Sequence, residues 1–207
     1  LRSTTSAPSA FITYLLVVFV PLINAVLTRT LPEAPVVLSV SLAVTGLVLL
    51  SGGVSALGRG EWLTLACAVM FAAHLIVVHR VTARHDPVRF TFVQVLVVGV
   101  GCFVPGLVDG GYRFGAAAWG AAAFTGIGAT AVAVLCMVWA QRVVPPTRTA
   151  LILLLEPVFA AVLGYAVGER LGVGGAVGAA LILAAVLITE LLPVWRGRPV
   201  EPHQADV

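Results

Sequence analysis

The sequence contains no lysine, and charge of either sign is scarce along its 207 residues. Charged residues make up 10% of the chain. A soluble domain carries roughly 25%. So few charges cannot cover a surface that faces water, so a bilayer must be the solvent. All twelve basic residues are arginines, and the formal net charge is +3. That charge is too small, and too dispersed between apolar runs, for a nucleic-acid footprint, and no nucleic-acid partner is expected. Cysteine is rare too. Cys67, Cys102 and Cys136 each lie within an apolar run, at spacings that fit neither a zinc site nor a disulfide framework. They are expected to be small buried packing residues. No H-E-x-x-H, G-x-S-x-G or P-loop pattern occurs, and no pair of aspartates lies inside an apolar run. No enzyme, no metal and no cofactor is therefore expected. The chain opens at Leu1 without the pattern of a signal peptide. The expectation is that a longer protein continues upstream of it.

What the chain has is hydrophobic length. Hydrophobic residues make up 60% of it. A bilayer core is about 30 Å thick and takes about 20 apolar residues of helix to cross. Seven runs approach or exceed that length, at 10–27, 36–50, 61–78, 90–108, 115–140, 150–167 and 174–192. The second is short, and the fifth has length to spare for tilt. Each must be helical, because an open strand edge in lipid leaves its backbone groups unpaired. The fold class is therefore all-α, a polytopic transmembrane bundle of about seven helices. The breaks between runs carry turn residues and charge, and none has room for a further domain. Residues 193–207 are expected to form a disordered tail. Alternate breaks lie on opposite sides of the membrane. One side collects Arg29, Arg80, Arg84, Arg89, Arg142, Arg148, Arg196 and Arg198. The other collects Arg2, Arg59, Arg113 and Arg170. The excess of arginine on the cytoplasmic side then puts the C-terminus in the cytoplasm. The expected location is the cell (inner, cytoplasmic) membrane.

The chain also repeats itself. Residues 10–31, AFITYLLVVFVPLINAVLTRTL, align without gaps on residues 150–171, ALILLLEPVFAAVLGYAVGERL. Ala10 meets Ala150, Ile12 meets Ile152, Leu15 meets Leu155 and Phe19 meets Phe159. Each copy holds a proline, Pro21 and Pro157, four residues apart in this register. Five spans separate the first helix from the sixth, so the two copies would cross the membrane in opposite directions. Inverted repeats with paired, proline-interrupted helices are the best pointer in a sequence to a transporter's central site.

The run from Trp139 to Ile188, WAQRVVPPTRTALILLLEPVFAAVLGYAVGERLGVGGAVGAALILAAVLI, resembles the EamA-type branch of the drug/metabolite transporter superfamily. Its Ala-Gln-Arg end, Thr/Ala-rich turn, Leu-Glu-Pro-Val-Phe-Ala and later Gly-Glu carry the likeness. TTSAPSAFITYLLVVFVPLI, from Thr4 to Ile23, is similar to the matching stretch of the first repeat. DPVRFTFVQ, from Asp86 to Gln94, is similar to the second helix of the second repeat. The resemblance implies two inverted five-helix repeats with both termini cytoplasmic. Residues 1–52 would be the last two helices of the first repeat. Residues 61–192 would be the complete second repeat, and three upstream helices would be absent from this chain. The implied function is secondary transport, outward, of a small metabolite such as an amino acid or a related amphipathic compound, by alternating access. The alternative is a truncated, non-transporting membrane protein or an assembly partner.

Few residues inside the spans carry chemistry. Glu156 is the carboxylate well inside a span. A buried charge there is costly, so it should face the bundle interior, be paired or be protonated. It is the candidate for proton coupling or substrate contact, against a purely structural role beside the helix-disrupting Pro157. Asn24 and Gln94 are amides in apolar helices, able to bind substrate or to bond across helices. Thr13 and Tyr14 lie where the resemblance brings the first repeat near the cavity, with core packing as the alternative. His74 could titrate near neutral pH or sit neutral and satisfied. Trp139 could touch substrate or join the interfacial belt to which Trp62, Trp119 and Trp195 are assigned. Gly164, Gly168 and Gly172, and Gly174 with Gly178, give small-residue spacings that suit close packing within the chain or a homodimer face. Glu169 and Arg170 read as an ordinary loop ion pair.

Overall fold

A computed structural model describes residues 6–51, 58–108, 115–166 and 172–195. Among the described residues every regular element is a helix. Five helical stretches are long and apolar enough to cross a membrane: Ala10–Thr28, Arg59–Thr82, Pro87–Val108, Ala116–Ala140 and Pro146–Ala166. Two shorter apolar helices, Ala34–Leu50 and Val173–Thr189, complete the set. The chain is an all-α polytopic membrane protein. Residues 193–195, expected in the tail, continue the last helix; the rest of the expected tail, the Glu169–Arg170 pair, Gly168 and Arg113 lie outside the described residues.

Three of the seven helical stretches are interrupted. The first is α1 (Ser6–Tyr14) and α2 (Leu16–Thr28). α3 (Ala34–Leu50), α4 (Arg59–Thr82) and α5 (Pro87–Val108) follow without a break. The next is α6 (Ala116–Phe124), a π-helical segment Thr125–Val132, and α7 (Ala133–Ala140). Then come α8 (Pro146–Leu153) and α9 (Leu155–Ala166), and last α10 (Val173–Trp195).

The helices run past the apolar runs because their polar ends are capped. Glu61 sits in the first turn of α4 and accepts the Gly58 N–H at 2.9 Å, the backward half of a capping box. Asp86 Oδ1 accepts the Arg89 N–H at 2.9 Å ahead of Pro87, which opens α5 where its missing N–H costs nothing. Arg29 ends α2 with φ 55°, the left-handed conformation, and its N–H bonds to the Ala25 carbonyl. Thr30 N–H bonds to the same carbonyl at 3.2 Å, so the helix closes as a Schellman-type cap on arginine rather than glycine.

The described helices fall into two compact units, residues 1–77 with 145–206, and residues 78–144. The first unit holds most of the core. Leu16, Val17, Val20, Leu47, Leu75, Leu151, Leu154 and Ile182 are fully buried there. α3 packs on α10 along almost its whole length. A Cβ on Gly46 would lie 2.5 Å from the Gly178 carbonyl oxygen. A Cβ on Gly178 would lie 2.6 Å from the Leu50 nitrogen. Gly46 faces Gly178 and Ile182, whereas Leu49 faces Gly178 and Gly174, so the two helices run antiparallel. Of the glycines singled out in the sequence, Gly178 makes this approach. Its partner Gly46 carried no small-residue spacing to announce it.

The second unit buries little. Hardly any of Pro87–Val108 or Ala116–Ala140 is covered by other parts of the chain. Here the expectation for the cysteines fails: Cys102 and Cys136, like Cys67 in the first unit, are exposed. The physical reason is that a membrane helix is apolar on its lipid side as well as its packed side, so an apolar run does not tell which side a thiol is on.

Candidate functional site

The first and sixth spans are both cracked at the same kind of turn. Leu15 (φ −60°, ψ −8°) separates α1 from α2, and Leu154 (φ −68°, ψ −8°) separates α8 from α9. At each crack the ladder tightens to three-residue bonds. Leu15 N–H bonds to Ile12 O at 3.2 Å, and Leu154 N–H bonds to Leu151 O at 3.1 Å. The two cracks lie 139 residues apart (15 and 154). The gapless sequence repeat has an offset of 140, so the structural register differs by one residue.

The prolines relate to these cracks unequally. Pro157 is the third residue of α9, where its missing N–H falls among the helix's free first-turn donors and deprives the Leu153 carbonyl of its usual partner. Pro21 lies inside α2, buried, and the helix runs through it. A proline accounts for the second crack and not for the first.

Across the cracks, one side chain from each copy meets the other. The Tyr14 hydroxyl, on the last residue of α1, donates a hydrogen bond to the Glu156 carboxylate in the first turn of α9. Tyr14 is half-buried, and Glu156 is exposed. α2 packs on α8, which holds the two copies together below this contact. Glu156 also sits within the first turn of a helix, where the free N–H groups favour negative charge. An exposed carboxylate in a membrane span must face a water-filled space or the bundle interior, since lipid would not tolerate it.

The remaining sequence candidates do not all join this contact. Thr13 is half-buried beside Tyr14, and Pro157 directly follows Glu156. Asn24 is half-buried ten residues further along the same span, about 15 Å by helical rise, and its carbonyl accepts the Thr28 hydroxyl at 2.8 Å. His74 is half-buried in α4 and stacks on Phe71, with ring centroids 6.2 Å apart and 26° between planes. Gln94 and Trp139 belong to the second unit. Gln94 is half-buried, and Trp139 is 67% exposed, as a belt residue should be. Trp62 and Trp119 are likewise exposed, and the Trp195 side chain lies outside the described residues.

One feature escaped sequence reasoning altogether. The fifth span holds eight residues of π-helix, TGIGATAV, between Phe124 and Ala133. Thr130 Oγ1 donates to the Thr125 carbonyl five residues back at 3.1 Å, a bond that suits the wider winding. Gly126 and Gly128 lie in this segment with Thr125 and Thr130, and no periodicity in an apolar span marks a change from α to π winding.

Comparison with known proteins agrees with this architecture. Two relatives, each named an uncharacterized transporter, come from Archaeoglobus fulgidus. One is 30% identical over 198 residues, covering 95% of this chain and 69% of the relative. The other is 31% identical over 191 residues, covering 91% of this chain and 61% of the relative. A protein of known crystal structure shares the fold with a TM-score of 0.71 at 19% identity, over 92% of this chain and 70% of that one. The EamA-like transporter family matches residues 58–191, which takes in α4 through most of α10. The chain belongs to the EamA-like transporter family.

Proposed function

We propose that this chain acts in a secondary transporter that exports a small metabolite, such as an amino acid or a related amphipathic compound, by alternating access. The observation that carries the proposal is the Tyr14–Glu156 hydrogen bond between two cracked spans. A helix cracked within the membrane frees backbone groups, which is tolerated where they line a cavity or find protein partners. Two such helices, one from each copy of a repeat, meeting through a carboxylate is the arrangement used by transporters that bind near the midplane. In this reading 1–52 are the last two helices of the first repeat and 61–192 the second. The antiparallel course of α3 and α10 supports an inverted relation. The arginine excess at Arg29, Arg80, Arg84, Arg89, Arg142 and Arg148 supports a cytoplasmic C-terminus in the cell membrane.

Glu156 is the coupling group in this mechanism. Protonated, it would release the charge that holds the Tyr14 hydroxyl, and the two cracked helices would part. Deprotonated, it would draw them together again. The test is proton-gradient-driven flux of a panel of radiolabelled amino acids in proteoliposomes, comparing the wild type with Glu156→Gln. Glutamine keeps the shape and the hydrogen bond but cannot take up a proton. Loss of gradient-driven flux in a monodisperse variant is the expected result. Undiminished flux would remove Glu156 from the coupling role.

A further inference from the structure

Hydroxyls in this chain have a habit. Among the buried ones, Thr82 bonds to the His79 carbonyl at 3.4 Å, Thr149 to Pro145 at 3.2 Å and Thr189 to Ala185 at 3.1 Å. Each lies back on its own helix, which is how threonine normally disposes of its polarity in an apolar setting. Thr91 on α5 departs from this. It is 5% exposed, and its Oγ1 has no hydrogen-bond partner among the described residues. One turn further along, the Oε1 of Gln94 is also buried without a partner. Residues three apart share a helix face, with Cβ atoms about 5–6 Å from each other. The apolar groove of α5, lined by Phe92, Val95, Leu96, Gly99, Val100 and Phe103, includes neither Thr91 nor Gln94.

Two unpaired oxygens a turn apart are not an accident that lipid would tolerate. An unpaired buried polar group is costly, and native structures keep very few. Ser39 has an unpaired hydroxyl too, but on the packed face of α3, alone. The chemistry of the α5 pair is specific. The Gln94 Oε1 accepts, whereas the Thr91 hydroxyl can donate or accept, so a primary carboxamide suits both: its –NH2 gives to Gln94, and its carbonyl or second N–H meets Thr91. A cation fits less well. The acid on α5's approach is Asp86, before the helix starts, and its Oδ1 is held by the Arg89 N–H at 2.9 Å. An ammonium bound between Thr91 and Gln94 would find no carboxylate on α5 itself to balance it, which a membrane span penalises.

We infer that Thr91 and Gln94 form a polar subsite on α5 that takes a neutral N–H donor, with a primary carboxamide the best fit. The inference rests on the transporter reading for its purpose, since it names a group the substrate would carry. It does not need flux to be tested.

The experiment places a reporter thiol at Val98, one turn beyond Gln94 on the same face and itself exposed. The exposed Cys67, Cys102 and Cys136 are first replaced by alanine. The purified full chain carrying Val98→Cys is alkylated with iodoacetamide and, separately, with N,N-dimethyl-iodoacetamide. The second reagent keeps the electrophile and lacks the N–H donors. Rates are normalised to those of a free thiol. The subsite predicts that iodoacetamide reacts faster by about tenfold, equivalent to about 1.4 kcal/mol of docking, and that adding Thr91→Val with Gln94→Leu erases the advantage. Equal normalised rates in the chain with Thr91 and Gln94 intact would overturn the inference without reference to the double variant. So would no labelling by either reagent, which would make this face dry. An advantage that survives the double variant would place the docking elsewhere. Failure here leaves the Glu156→Gln flux test standing, and failure there leaves the labelling result standing.

Discussion

The larger unit contains two kinds of helix in matched pairs. The pair formed by α1/α2 and α8/α9 is cracked, at Leu15 and Leu154, with nearly the same backbone angles. The pair formed by α3 and α10 is unbroken and locked together, with Gly46 and Gly178 set backbone against backbone. Each cracked span is followed directly in sequence by its locked one. The contrast separates two jobs that a moving membrane protein must do at once. One pair supplies freed backbone groups and a carboxylate in the membrane. The other supplies a contact that cannot slide without a clash. The mechanism proposed above would use both: a place where ligand and proton act, and a fulcrum that does not yield.

The largest effect should come from spoiling the fulcrum. Gly178→Ala puts a methyl group 2.6 Å from the Leu50 nitrogen and still closer to the Gly46 carbonyl oxygen, with backbone rather than flexible side chain in the way. Overpacking of this kind costs roughly 1–3 kcal/mol. A clear fall in the thermal midpoint of the detergent-solubilised protein is expected for Gly178→Ala and for Gly46→Ala. Gly99→Ala, which has open space around it, should change nothing. If all three variants melt alike, α3 and α10 are not locked in the way described.

How far the sequence could be read follows from the same contrast. The spans were legible because lipid demands about 20 apolar residues of any helix, whatever it packs against. Glu156 was legible because a lone carboxylate in a span is conspicuous. Its partner was not: Tyr14 stood among the candidates, but a bond across 142 residues (14 and 156) leaves no trace in either segment alone. Pro21 misled, because a proline inside a membrane helix looks like a crack whether or not neighbouring helices re-satisfy the freed carbonyl. Gly46 was missed, and the cysteines were misplaced, for one shared reason. In a bilayer both the packed side and the lipid side of a helix are apolar, so hydrophobic periodicity does not tell them apart.

Tyr14→Phe sharpens the comparison from the cracked side. It removes the hydroxyl and leaves the ring, so it deletes the link between the copies without disturbing the packing of α1. A hydrogen bond to a charged group is worth roughly 1.5–3 kcal/mol, and part of that is regained by water at an exposed carboxylate. Gradient-driven flux in proteoliposomes should fall by about tenfold, equivalent to about 1.4 kcal/mol, with the thermal midpoint little changed. A fall in the midpoint as large as that of Gly178→Ala would make Tyr14 a structural strut rather than part of the moving contact.

The smallest effect is expected from the prolines, and it should be unequal. Pro157→Ala restores an N–H opposite the Leu153 carbonyl, so the α8–α9 ladder can close across Leu154. Amide hydrogen exchange at Leu154, Leu155, Glu156 and Val158 should slow, and flux should drop a few-fold, because the crack is partly healed. Pro21→Ala acts in the interior of α2, six residues beyond the first crack (15 and 21). Exchange at Leu15 to Val18 should stay as it was, because nothing about that crack depends on Pro21. The first crack must then be held by what packs on it, α8 against α2, rather than by its own sequence. If Pro21→Ala slows exchange at Leu15 as much as Pro157→Ala does at Leu154, the two cracks share one cause, and the asymmetry drawn between them is wrong.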